Sequence, residues 1–231
     1  HWCEIKSTNS GGYTAGTSHN NGNGTAGGAL ALNAPAVCDV FENHLFLSGH
    51  EATGAAIAHS APKDPYTWTA SAGAGQIAAG FDVVQIKPFR DNLFVFGSKD
   101  IKKITVNASN AFVIENVTTN IGCVARDSVL EIGGDLMFLS PDGFRPVAGT
   151  SRVGDIELET LSKPIQSTLV DIIKNEDMDQ LTGVVIRSKS QVRYFLTSTS
   201  GNDLVAAAES IGIIGGLTDS SGSIGWEFGE L

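Results

Sequence analysis

Four stretches of this chain share one pattern, an apolar run that closes on Ser or Gly. They read FENHLFLSG (41–49), FRDNLFVFGS (89–98), IGGDLMFLSPDG (132–143) and, more loosely, SQVRYFLTSTSG (190–201). Aligning Leu45, Leu93, Leu136 and Val192 gives spacings of 48, 43 and 56 residues. Units of that size, each a turn followed by an apolar strand, are the signature of propeller blades or a similar β array. The expectation is an all-β fold, a propeller-like array of antiparallel four-stranded blades. Phe46, Val95, Phe138 and Phe195 fall in the corresponding strands of the four copies. Most of these strands are expected to bury alternate side chains.

The turns set the strand boundaries. RDN, SKD and NASN divide residues 81–119 into strands near Val83–Phe89, Leu93–Gly97, Ile101–Val106 and Phe112–Val117, which make one blade. VCDVFENHLFLSG is a hairpin about a Glu-Asn turn. APKDPYTWTAS reads as a loop ending in a short strand, and ESIGIIGGLTDSSGSIGWEFGEL as a last strand pair. One segment breaks the pattern. Between residues 155 and 175, Ile156, Leu158, Leu161, Ile165, Leu169 and Ile172 recur at mostly three- and four-residue steps, which predicts an inserted amphipathic helix. Ser162 is its expected N-cap, with Pro164 in the first turn. Residues 1–35, rich in Gly and Asn, read as an N-terminal arm or loop, and residues 36–231 as the propeller-like domain. Residues 7–28 lack the apolar content to order alone and are expected to be ordered on a neighbouring subunit.

Composition narrows the function classes. The 231 residues are 42% hydrophobic and 17% charged, which allows a sizeable core. The net charge of −10 argues against gripping a nucleic-acid backbone. Cys3, Cys38 and Cys123 are an odd number with no CxxC, and read as buried thiols of a reducing compartment. No stretch approaches the roughly 20 apolar residues of a membrane span. The start, HWCEIKST, shows neither Met nor an apolar leader, so it reads as a trimmed end.

The chain carries no GxSxG, HExxH, Walker or EF-hand pattern. The Gly-rich stretch 11–28 lacks a phosphate-binding lysine and a leading strand, so it is not read as a phosphate cradle. His44, His50 and His59 are read as surface or turn residues rather than metal ligands. Asp91, Asp100, Asp135 and Asp142 fall in turns, where Asp bonds its own backbone. Sequence does not say whether two of them converge as a glycosidase pair would. The small basic clusters Lys99, Lys102, Lys103 and Arg187, Lys189, Arg193 are read as solvated edges that discourage strand pairing. No catalytic, cofactor-binding or metal residue is assigned. Tyr66 and Trp68, in a Pro-flanked loop, are the candidate interface residues, with a core role for Trp68 as the alternative.

The middle of the chain resembles a known family. The order is F-x-N-x-L-F-L-S-G, a P-x-x-W-T-A-S loop, FRDNLFVFGSKDIKKI, and IGCVARDSVLEIGGDLMFLSPDGFRPV, followed by LSKPIQSTL. Over residues 36–200 this is similar to the propeller region of bacteriophage tail tubular proteins of the nozzle type. The string from Gly122 to Gly143 is the most specific part. The resemblance implies a structural, non-enzymatic virion component, assembled in the host cytoplasm as a ring, usually sixfold. Its implied neighbours are portal, adaptor and tail fibre proteins, with genome DNA passing through without specific binding. Family members are several times longer than this chain. A carbohydrate-binding or glycoside-processing propeller at the host surface is the second expectation, and a cellular interaction propeller the third. The 3 Trp and 3 Tyr are few for a sugar platform.

Overall fold

The computed structural model describes residues 35–49, 54–147, 160–199, 209–217 and 224–230. The expected N-terminal arm and His50 lie outside these residues. Fifteen described strands form four antiparallel sheets, each built from strands consecutive in the chain. The first sheet is β1 (Val37–Phe41), β2 (His44–Ser48), β3 (Ala56–His59) and β4 (Gly75–Ala78). The second is β5 (Val83–Phe89), β6 (Asn92–Gly97), β7 (Asp100–Val106) and β8 (Phe112–Thr119). The third has three described strands, β9 (Leu130–Ile132), β10 (Asp135–Ser140) and β11 (Gly143–Pro146). The fourth is β12 (Thr182–Ile186), β13 (Gln191–Thr197), β14 (Ser210–Leu217) and β15 (Ile224–Glu230). This is an all-β, propeller-like array of meander blades with, among the described residues, the α-helix α1 (Gln166–Asn175).

The sequence repeat is the hairpin between the first two strands of each sheet. Leu45, Leu93, Leu136 and Val192 are each the second residue of their strand, in β2, β6, β10 and β13. All four are buried. Left-handed residues make the tight turns before Leu45 and Leu136: Glu42 and Asn43 at φ 47° and 62°, and Gly133 and Gly134 at φ 61° and 79°. Such two-residue turns match the twist of the strands they join, which fixes the register.

The expected alternation is corrected in three copies. Past their first residue, β2, β6 and β10 are buried on both faces. A central strand covered by side chains on either side reads as a continuous apolar run, which is what HLFLS, NLFVFG and DLMFLS are. Only β13 alternates, burying Val192, Tyr194 and Leu196 and leaving Phe195 half-buried.

The chain divides into two compact units, His1–Gly97 with Ile101–Asn116, and Ser98–Asp100 with Val117–Leu231. In the first unit, β1 lies beside β5, and the two are tied by Lys87 and Asp39 at 3.3 Å. Its main core joins Phe41, Phe46, Ile57, Ile86, Leu93, Val95 and Ile104. In the second unit, β9 lies beside β12. Its core gathers Met137, Leu139, Phe144, Leu169, Ile172, Tyr194, Leu196 and Ile213, so the buried stripe of α1 packs on the sheets.

The helix begins later than the apolar spacing predicts. Residues 151–159 lie outside the described set, and a 3-10 turn over Lys163–Ile165 precedes α1. Ser162 caps nothing with its side chain. Its hydroxyl accepts the Phe144 N–H at 3.0 Å, while the Leu161 N–H donates to the Phe144 carbonyl at 2.8 Å. Residues 161–162 thus bond to β11, and Ser162 takes a non-helical backbone at φ −96° and ψ 24°. Gly143 permits this approach, since a Cβ there would meet the Ser162 Oγ at 2.5 Å. The expected strand at the end of APKDPYTWTAS is instead a 3-10 turn, Ala70–Ala72, closed by Gly73 in the left-handed region.

Candidate functional site

The densest group of chemically competent side chains in the first unit is built on β2 and β3. Phe46 pairs with His59 across the two strands, and His44 lies two residues before Phe46, so all three share one face. The His44 and His59 Nδ1 atoms are 3.3 Å apart. Both point at one acceptor, the Ser60 carbonyl, at 2.6 Å from His44 and 3.2 Å from His59. Phe112 of β8 closes the group, meeting His44 at 4.9 Å and His59 at 4.8 Å between ring centroids, both near edge-on. His59 is 9% exposed, and burial is the main cause that holds its imidazole below the usual range, with His44 adding to it. The reading of these histidines as surface or turn residues is therefore corrected for His59, which is buried, and for His44, which is half-buried. Among the described residues no three His, Cys, Asp or Glu side chains are grouped to hold a metal.

The two candidate interface residues occupy different environments. Trp68 is 4% exposed, packs with Leu45, Leu47 and Ala58, and donates its indole N–H to the Pro65 carbonyl at 3.0 Å. It covers the face of the first sheet that the main core leaves open. Tyr66 is 52% exposed. Its backbone N–H is held by the Asp64 carboxylate at 3.0 Å, which fixes the loop while the ring stands in solvent.

In the second unit, the SPDG turn carries a small polar cluster. Arg145 forks onto both oxygens of Asp142, and the Ser140 hydroxyl donates to the same carboxylate at 2.5 Å. Gln166, at the start of α1, donates to the Asp142 carbonyl at 3.0 Å. The Arg145 guanidinium is the first cause that holds the Asp142 carboxyl below its usual range. The geometry is that of a locked turn, with the carboxylate engaged by its own neighbours. Because the folded value is depressed, the stabilisation is present above the unfolded value near 3.8 and is lost as pH falls through the folded one. Asp142→Asn should lower the unfolding midpoint at pH 6 by about 2–4 °C, for about 1 kcal/mol from a carboxylate that is half-exposed and so partly screened. The gap to the native chain should close as the pH drops toward 2, which thermal unfolding at stepped pH reads directly.

The remaining groups serve the scaffold. Cys123 is fully buried, bonds Ala125 and Ser128, and has its thiol pushed up to about 11, mainly by burial. That is an unreactive thiol. Cys38 is half-buried, so the expectation of buried thiols holds only for Cys123 among the described cysteines. Buried Tyr194 donates its hydroxyl to the Ser128 carbonyl at 3.0 Å. Glu176 accepts from the Ser198 hydroxyl at 2.5 Å and from the Thr199 N–H at 2.8 Å, clasping the end of α1 to the end of β13. In the basic cluster on β7, Lys103 pairs with Glu115 at 3.3 Å, and Lys102 donates to the Ala79 carbonyl at 2.6 Å.

No protein-family model matches the chain, and no curated protein does. Among solved structures it is similar to the N-terminal domain of Nup159, at 13% identity over 83% of this chain and 47% of that one, with a TM-score of 0.48. It is also similar to a chain of the S. cerevisiae complex of Dbp5 with Nup159, Gle1, IP6 and ADP, at 12% identity over 83% of this chain and 46% of that one, with a TM-score of 0.44. The chain thus spans about half the length of the structures it resembles.

Proposed function

We propose that the chain is an architectural module of a phage tail, a nozzle- or tube-type ring component that lines part of the DNA-ejection channel and docks neighbouring tail proteins. The observation that carries this reading is how the polar chemistry is used. Asp142, Arg145, Glu176 and Tyr194 are spent on fixing turns and strand ends, so that the sheets are stiff frames. Stiff frames act through what they touch. An acidic wall, favoured by the net charge of −10, repels phosphates and lets DNA pass without sticking. The resemblance in residues 36–200 supplies the particular setting.

The test is assembly of the purified chain, followed by sedimentation velocity across concentration, with binding to host polysaccharide measured in parallel. A closed oligomer with no polysaccharide binding is the expected result. A monomer that binds or cleaves the polysaccharide would replace this reading with the host-surface one. Tyr66 is the exposed anchor offered by the Pro-flanked loop. Tyr66→Ala should move the unfolding midpoint by less than about 0.5 kcal/mol equivalent, as surface changes do, while weakening self-association. Unchanged sedimentation of that variant would remove Tyr66 from the interface.

A further inference from the structure

We infer that His44 and His59 form an acid-sensitive latch that holds the edge strand β8 against the first sheet. The latch is built from three facts of geometry. The two Nδ1 atoms lie 3.3 Å apart and share the single Ser60 carbonyl as acceptor. Phe112, the first residue of β8, rests on both imidazoles and on Phe46, whose ring centroid is 5.1 Å away. The Nε2 edge of His59 is closed by backbone, since a Cβ on Gly75 would lie 2.8 Å from it. A carbonyl with two lone pairs can accept from two neutral imidazoles. Two imidazolium rings at this separation repel each other, and burial denies them the water that would screen the repulsion.

The surrounding charges do not relieve that repulsion. Glu42 and Lys63, in the turns beside His44 and Ser60, are both exposed. Asp39 on β1 is paired with Lys87, and Glu115 on β8 is paired with Lys103. From β4 the pair meets the backbone of Gly75. The sign of the pH effect follows. His59 is held below its usual 6.5 when folded, so the unfolded chain takes up the proton first. The contribution is complete above about pH 6.5 and is lost as pH falls from there toward the folded value. Phe112 is the contact through which this loss reaches β8, so β8 should loosen before the central strands do. This inference does not depend on the tail reading, because it concerns one unit of the isolated chain.

The test is amide hydrogen exchange on the whole chain at pH 7.5 and 5.0, corrected for intrinsic rates. Residues 112–116 should lose protection at least tenfold more than residues 93–96 of the same sheet. Histidine ring NMR should show His59 titrating over the same interval. His59→Gln removes the buried titrating ring and keeps a hydrogen-bonding side chain, so it should abolish the selective loss. Equal protection of residues 112–116 at both pH values would overturn the latch, whatever the variant does. So would a His59→Gln chain that loosens at pH 5.0 as the native chain does. Should His59→Gln fail to fold, His59→Phe, which keeps an aromatic ring without a titrating group, answers the same question.

Discussion

Phe144→Ala is expected to destabilise the second unit by about 3–5 kcal/mol, the range for removing a fully buried aromatic ring from a core that collapses only in part. Phe144 is 0% exposed. Its ring is stacked between two others, with the Tyr194 centroid at 4.6 Å and 21° and the Trp226 centroid at 4.6 Å and 7°. Its loss unpacks β11 from both β13 and β15 at once. Its backbone also holds residues 161–162, so a shift of β11 would disturb the approach to α1. Urea unfolding of the native and variant chains, followed by near-ultraviolet circular dichroism, measures the change. A loss below about 1 kcal/mol would mean that the three-ring stack does not hold this unit together.

Trp68→Ala should cost the first unit a similar amount, about 3–5 kcal/mol. The indole fills the face of the first sheet lined by Leu45, Leu47 and Ala58, and its N–H bond to Pro65 anchors the loop that carries Tyr66. The contrast with Tyr66→Ala is the informative part. One residue of the loop holds the blade and the other faces solvent. Unfolding midpoints of the two single variants separate the roles; equal and small shifts in both would contradict the burial of Trp68.

The frame of this protein was legible in its turns. The Glu-Asn and Gly-Gly pairs mark the first hairpin of a sheet because few residues tolerate the left-handed backbone those turns require. The strands bounded by RDN, SKD and NASN lie over residues 83–89, 92–97, 100–106 and 112–119, within two residues of where the turns put them. The start of α1 was not legible. Whether Ser162 caps a helix or accepts from Phe144 is decided by β11, 18 residues earlier, and local spacing does not carry that choice. The histidine pair was missed for a similar reason. Sequence spacing treats His44, His50 and His59 alike, whereas strand pairing brings together His44 and His59, 15 residues apart. The available signal was positional. His44 opens β2 where Asn92, Asp135 and Gln191 open the equivalent strands, so an imidazole stands at a site otherwise given to ordinary polar residues. The partner from β8 had no local signal, because Phe112 reaches the pair only through the packing of one sheet on another.

Negative-stain electron microscopy of the purified protein across a range of concentrations shows whether the chain works by assembly. Closed rings of regular copy number, sixfold by the family resemblance and with a central opening, are the expected result. Single particles of one chain at every concentration, in a sample whose unfolding midpoint shows it to be folded, would contradict it.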